Sequence, residues 1–305
     1  MKTNHLLPSR KSPSKRRNNL IGILFVLPMM FGTFAFYYFP MIQAFIFSFQ
    51  RTSGFVAERT WVGLFNYRWV LTDPQFWSAV NNTLYMGVLS IILNISVPFI
   101  LASFLHSIKF GKNFFRSLFF VPNVVSVVAS AILFSFVFHI SREGLLNSLL
   151  SFVGIGPFGW FSDPSLSRLS VVLMGLWRGF GYNIIIFYAA LQSVPTELYE
   201  AASVDGVSAV KRWWYITLPL MRPIIMVVVV MELIGSMRRF GDVFVIGGVD
   251  GAPGGSLQTV VVYIYRYAFL SNQVGIGSAA SFILFFIIFI LTLLNFRFVN
   301  KPIDD

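Results

Sequence analysis

Residues 197–219 read Glu197-Leu-Tyr-Glu-Ala-Ala-Ser-Val-Asp-Gly-Val-Ser-Ala-Val-Lys-Arg-Trp-Trp-Tyr-Ile-Thr-Leu-Pro219. This is the longest stretch between apolar blocks that mixes charge with helical spacing. Pro195 stands just before it, a residue tolerated in a first helical turn. Leu198, Ala201, Ala202 and Asp205 then fall at i, i+3, i+4 and i+7, on one face of a helix. The paired alanines make the centre of that face shallow, so another protein surface can approach closely. Gly206 offers a stop, because glycine takes positive φ without steric cost. Lys211, Arg212 and Arg222 make the surroundings basic, as expected of a cytoplasmic loop.

On either side of this loop the solvent changes. Of 305 residues, 56% are hydrophobic, 17% aromatic and only 11% charged. A soluble domain carries about 25% charged residues, so most of this chain is built for lipid. The net charge of +11 is not a nucleic-acid signal, because the basic residues cluster between apolar runs and form no basic helix or aromatic-basic module. There is no cysteine, hence no disulfide, thiol nucleophile or thiolate metal site. His5, His106 and His139 are scattered without ligand spacing. No Gly-x-x-x-x-Gly-Lys-Ser/Thr stretch occurs, so any nucleotide hydrolysis belongs to a partner.

A hydrocarbon layer of about 30 Å needs about 20 helical residues. Apolar runs of that length predict six spans, at about 20–49, 76–106, 117–139, 168–193, 223–246 and 272–298. The expectation is an all-α, polytopic membrane protein whose transmembrane domain covers 20–298. Cytoplasmic tails at 1–19 and 299–305 flank that domain, and a cytoplasmic loop at 194–222 joins the fourth and fifth spans. The first span is too long for a signal-peptide core and is read as uncleaved. Residues 140–167 and the glycine-rich 247–255 are placed outside. Fourteen basic residues then lie in inside segments and five in outside loops, which puts both termini in the cytoplasm.

The loop carries a family resemblance. Glu200-Ala201-Ala202, three residues, Gly206, nine residues, Ile216, one residue, Leu218-Pro219 resembles the EAA loop of ABC importer permeases, with every anchor at the family spacing. Leu191-Gln-Ser-Val-Pro195 before it and Leu218-Pro-Leu-Met-Arg-Pro223 after it are similar to the carbohydrate-uptake branch, near the maltose and glycerol-phosphate permeases. Trp61-Val-Gly-Leu-Phe-Asn-Tyr67 resembles the external segment after the first span in that branch. The resemblance implies a six-span, MetI-like core whose loop is a coupling helix held in a cleft of a cytoplasmic ATPase. Glu200, Ala201, Ala202, Asp205 and Gly206 would then form the ATPase-coupling set, with Glu200 bonded to a basic group. The implied partners are a second homologous permease, two ATPase subunits that bind ATP and Mg, an extracytoplasmic solute-binding protein and the lipid bilayer. The implied location is a bacterial cytoplasmic (inner) membrane. This chain itself needs no cofactor and catalyses no reaction.

Charged groups inside spans are costly and usually face a cavity or a partner. Trp177-Arg178-Gly179-Phe180-Gly181-Tyr182-Asn183 lies on the fourth span. Glu232 and Met237-Arg238-Arg239-Phe240-Gly241-Asp242 lie on the fifth. Sugar recognition needs aromatic faces and planar polar groups, and both stretches offer them. By resemblance, maltose-type permeases hold sugar on these same two spans. Arg178, Gly179, Tyr182, Asn183, Arg238, Arg239 and Asp242 are therefore the expected pathway residues. Adjacent arginines on a helix point about 100° apart, so at least one is expected inward, where a guanidinium binds a carboxylate in bidentate fashion. That points to an acidic oligosaccharide such as a uronate, or a sugar phosphate. The alternative pairs an arginine with Asp242 or Glu232 and leaves a neutral oligosaccharide as cargo. An ion-coupled secondary transporter would need inverted repeats and embedded acids, and a membrane-embedded enzyme would need a nucleophile–base pair or metal ligands. No convincing repeat is visible and Glu232 is the only deeply placed acid, and no convincing nucleophile–base pair or metal-ligand set is present.

Overall fold

Two Asp-Pro pairs start the helices at the centre of the bundle. Pro74 opens α4 (Pro74–Ser107) and Pro164 opens α8 (Pro164–Leu191), each in the first turn, where a missing N–H costs nothing. The preceding aspartate caps each helix: Asp73 Oδ1 accepts from the Gln75 N–H at 2.9 Å, and Asp163 Oδ1 from the Ser165 N–H at 2.8 Å. The Ser165 hydroxyl and N–H hold the Asp163 carboxyl below the usual carboxylate range.

The computed structural model describes residues 13–52, 59–108 and 110–299. The basic residues Lys2, Arg10 and Lys11 of the expected tail, and residues 300–305 of the other, lie outside that range. The chain enters through α1 (Pro13–Thr33), a π-helical turn (Phe34–Tyr38) and α2 (Phe39–Ser48), which together supply one apolar helix, Asn18–Ser48. A two-stranded antiparallel hairpin, β1 (Gln50–Thr52) and β2 (Arg59–Trp61), and the short α3 (Phe65–Thr72) lead to α4. After α4 come α5 (Lys112–Val124), α6 (Val127–Val137), α7 (Leu145–Ser151) and α8. Then follow α9 (Thr196–Val204), α10 (Ala209–Arg212), a second π turn (Trp213–Thr217), α11 (Leu218–Met237), α12 (Gly241–Gly247), α13 (Val260–Tyr265), a third π turn (Arg266–Leu270) and α14 (Val274–Val299).

Helix α4 packs along α8, with α11 against α4, α5 against α8 and α14 against α2. Apolar side chains bury in separate clusters along the α4–α8 pair. One cluster gathers Met86, Val171, Val172, Val243 and Leu257. Another, further along both helices, gathers Phe99, Ala102, Ile184, Phe187 and Val228. Between them α4 contributes Ser90 and Asn94, both buried, and α8 contributes Gly175, Gly179 and Asn183. The bundle is therefore apolar at both ends and polar near its middle. Elsewhere bulky apolar residues stand exposed, Phe25 at 83% and Phe36 at 78% among them, as a lipid-facing wall requires.

Five helices among the described residues are long and apolar enough to cross a bilayer, and a bent pair passes the same length and composition test together, which gives six where the pair is one broken span. That pair corrects the expected continuous third span at 117–139. Helices α5 and α6 meet at 99°. The chain turns extended at Val125 and Ser126, just past Pro122, and the Ser126 hydroxyl restarts the helix by accepting from the Ala129 N–H at 3.2 Å. The fifth span also departs from expectation. It begins before Pro223, which lies inside α11, and breaks at Arg238–Phe240 before α12. The short α13 was not foreseen, because six residues are too few to register as a span. It is pinned to α4 by its first N–H, Val260 to Thr83 Oγ1 at 3.0 Å, and Asn82 Nδ2 holds the preceding loop through Gly255 O at 2.8 Å.

Candidate functional site

The polar middle of the bundle opens into a cleft of about 260 Å³ between α4, α8 and the α11–α12 break. Arg178 and Gly179 line it from α8, Asn94 from α4, Glu232 from α11, and Arg239 and Asp242 from the break and the start of α12. Each group arrives for a local reason. Glycines at 175 and 179 remove side chains on one face of α8 and leave room for the groups opposite. A Cβ at Gly175 would lie 3.0 Å from Arg239 Nη2, and one at Gly179 would lie 3.9 Å from Asn94 Oδ1. The helix break turns Arg239 inward.

Most of the charge in the cleft is already engaged. Arg239 Nη1 faces Asp242 Oδ2 at 3.5 Å, its Nη2 donates to Ser90 Oγ at 3.2 Å, and its carbonyl accepts from Thr259 Oγ1 at 2.8 Å. Asp242 Oδ1 accepts from the Val243 N–H at 2.9 Å. Glu232 Oε1 accepts from Asn183 Nδ2 at 2.9 Å, and the same amide donates to the Asn94 carbonyl at 3.0 Å. Arg239 Nη1 makes that ion pair but no hydrogen bond, and two further groups have neither. Among the described residues Arg178 has no ion-pair or hydrogen-bond partner although it is half-buried. Asn94 Oδ1 is buried and accepts no hydrogen bond. A buried acceptor without a donor costs about 1–3 kcal/mol, so within the described chain the cleft presents a cation, Arg178, and an acceptor, Asn94 Oδ1, that nothing completes, beside a Glu232 carboxylate held only by an amide.

The predicted pathway residues separate. Arg178, Gly179, Arg239 and Asp242 line the cleft, and Asn183 braces it through Glu232. Tyr182 is 44% exposed and does not line it. Arg238 is exposed and also does not line it, because the expected helical pair of arginines sits in a break. Arg239 takes the intrabundle pairing with Asp242 that was the alternative reading. Sequence reasoning missed Ser90 and Asn94. Their signal was the small and polar stripe Thr83, Gly87, Ser90, Asn94 at helical spacing within an otherwise apolar run. Among the described residues no cluster of His, Asp and Glu has the geometry to hold a metal.

The loop between α8 and α11 has its own geometry. Helix α9 ends in a Schellman motif: Val207 N–H bonds Ala202 O at 2.9 Å, Gly206 N–H bonds Ser203 O at 3.1 Å, and Gly206 takes φ 71°. Glu200, Ala201 and Asp205 are exposed on it, while Ala202 is half-buried with Tyr199. Leu198, Ala201, Ala202 and Asp205 therefore do not share one environment. Tyr199 Oη lies 2.9 Å from Thr217 Oγ1, which ties the exposed helix to the base of α11. Helix α11 runs from that contact to the cleft, which it lines with Glu232, Gly235 and Ser236.

The family described as "Binding-protein-dependent transport system inner membrane component" matches residues 94–302. The chain is 36% identical, over 90% of its length and 87% of the other, to the arabinooligosaccharides transport system permease protein AraP of Bacillus subtilis. It is 30% identical to the trehalose/maltose transport system permease protein MalF of Thermococcus litoralis, over 94% of this chain and 96% of that one. Its fold is similar to a chain of a bacterial alginate ABC transporter crystallised with its alginate pentasaccharide-bound periplasmic protein. That match has a TM-score of 0.82 at 22% identity and covers 97% of this chain and 99% of that one.

Proposed function

The chain belongs to the binding-protein-dependent transport system inner membrane components, and we propose that it carries an acidic oligosaccharide through the bacterial cytoplasmic membrane. It is a multi-pass permease subunit of an ABC importer, not an enzyme. On this reading it forms half of the pathway beside a second homologous permease. Two ATPase subunits that bind ATP and Mg dock from the cytoplasm, and a solute-binding protein delivers cargo from outside. Both termini are cytoplasmic. ATP acts by favouring one of two states of the pathway, so the helix α9 must meet the ATPase differently in each.

One observation carries the choice of an acidic cargo: half-buried Arg178 lines the cleft without an acid of its own, while Arg239 is held by Asp242. A substrate carboxylate would complete Arg178, and a neighbouring hydroxyl would satisfy Asn94 Oδ1. A bacterial ABC transporter of similar fold is involved in the import of the acidic polysaccharide alginate. The relatives named for arabinooligosaccharides and for trehalose or maltose support the competing neutral cargo.

The deciding experiment is ATP hydrolysis by the full assembly with its binding protein in proteoliposomes, given a uronic or a neutral trisaccharide. Stimulation by the uronic sugar is expected, and stimulation by the neutral one alone overturns the acidic reading. Arg178→Gln is expected to lower uronate uptake roughly 10- to 100-fold, the scale of a hydrogen bond to a charged group, with little effect on any neutral sugar the assembly carries. Equal loss for both sugars would return Arg178 to a structural role.

A further inference from the structure

A groove of about 640 Å³ runs along one face of the bundle, between the second half of α4 and the joint formed by α10 and the π turn Trp213–Thr217. It shares no lining residue with the polar cleft. Its depth comes from sequence. Along α4 the small Ser96 and Ser103 alternate at helical spacing with Ile100 and Phe104, so the face is recessed between bulky ridges. The serines do not make it polar. Ser103 Oγ donates to Phe99 O at 2.9 Å, and Ser96 Oγ donates to Ile92 O in the same back-bonding pattern. Trp213 Nε1 donates to Ser103 Oγ at 3.0 Å and fixes the far wall. Phe104 and Trp214 are 65% and 56% exposed, so the slot is open along its length.

One end of the groove is strongly basic. The two segments that border it, residues 104–116 and 208–222, contain Lys109, Lys112, Arg116, Lys211, Arg212 and Arg222 and no acidic residue. Lys112 Nζ donates to the His106 carbonyl at 3.1 Å, which sets its ammonium at the end of α4 beside Ser107 in the groove lining. Lys211 follows Val210, another lining residue, and is exposed. An apolar slot that ends in cations, with tryptophan at that level, has the chemistry of an anionic lipid at the membrane–water boundary. We infer that this groove seats an anionic phospholipid, its acyl chain between α4 and the α10 joint and its phosphate at the Lys112–Lys211 end. The inference rests on the reading of residues 194–222 as cytoplasmic. Because Thr217 of the same joint bonds Tyr199 of α9, a seated lipid would brace the element that passes motion from α9 to α11.

The test uses the assembled transporter in bilayers doped with phospholipid brominated on its acyl chains, which quenches tryptophan on contact. The Trp214 signal is isolated as the difference between wild type and Trp214→Phe. Brominated phosphatidylglycerol is expected to quench that signal at a severalfold lower mole fraction than brominated phosphatidylcholine. Lys112→Gln with Lys211→Gln is expected to erase the preference, and so is Ser96→Phe, which fills the slot and leaves the cations. Equal quenching by both lipids overturns the proposal, as does a preference that survives Ser96→Phe. Absence of quenching by either lipid also overturns it and assigns the groove to the second permease. Labelling of Val204→Cys from one side of the membrane or the other checks the orientation separately.

Discussion

Gly181→Leu is expected to leave no uptake and little monodisperse protein after extraction from the membrane. A Cβ at this position would lie 2.0 Å from Phe119 O, 2.6 Å from Phe119 C and 2.9 Å from Phe120 Cα. These are main-chain atoms of α5, so no rotamer change relieves the contact. Helices α5 and α8 must separate, and the pair is part of the bundle centre. The cost exceeds the roughly 1–3 kcal/mol of ordinary overpacking, because backbone rather than side chain has to move. Size-exclusion profiles of a fluorescent fusion check this. Gly32→Leu is the control, since a Cβ there meets nothing within 4 Å. Normal profiles and uptake for Gly181→Leu would mean that α5 and α8 are not packed as described.

The second large effect lies beyond the end of the fourth span, on α9. Glu200→Arg is expected to leave the chain inserted and lower uptake by about 100-fold or more, on the scale of a buried charge pair broken by a like charge. Glu200 is exposed on α9 and has no intramolecular role in the described chain, so its loss should not disturb the fold. The loss should appear in assembly with the ATPase or in substrate-stimulated ATP hydrolysis. Full uptake by Glu200→Arg would remove the coupling assignment. Gly206→Leu acts differently. Space around Gly206 is open, but its φ of 71° is a left-handed conformation, so the penalty is the backbone strain of about 1–2 kcal/mol. Its expected effect on uptake is smaller than that of Glu200→Arg.

The loop between α8 and α11 could be read residue by residue because its signals are local. Pro195, the charge spacing on α9 and the stop at Gly206 each depend on a few neighbouring residues, and the Schellman motif forms where glycine stands. The cleft was legible only in part. Its α8 glycines and Arg178 stood out as polar and small groups in an apolar run. Asn94 and Ser90 were hidden because single polar residues in a long span carry little signal without knowledge of what they face. The two adjacent arginines misled for a similar reason. A helical reading gave them equal standing, but the chain breaks after Arg238, and Thr259, Ser90 and Asp242 then select Arg239. Those partners lie between 3 and 149 residues away, and most of them are invisible to any local window.

Local composition was sufficient for the all-α membrane class, the rough positions of the spans and the amphipathic loop between the fourth and fifth of them. Hydrophobicity over about 20 residues, positive φ and helix periodicity are sums over neighbouring residues. Long-range packing alone chose the 99° bend between α5 and α6, the break in the fifth span, and the arginine that faces the cleft. Each of these depends on which backbone approaches which, and α4, α8 and α11 meet across separations of tens to more than a hundred residues. At those distances a glycine's missing side chain or a serine's hydroxyl acquires its role only from the helix placed opposite.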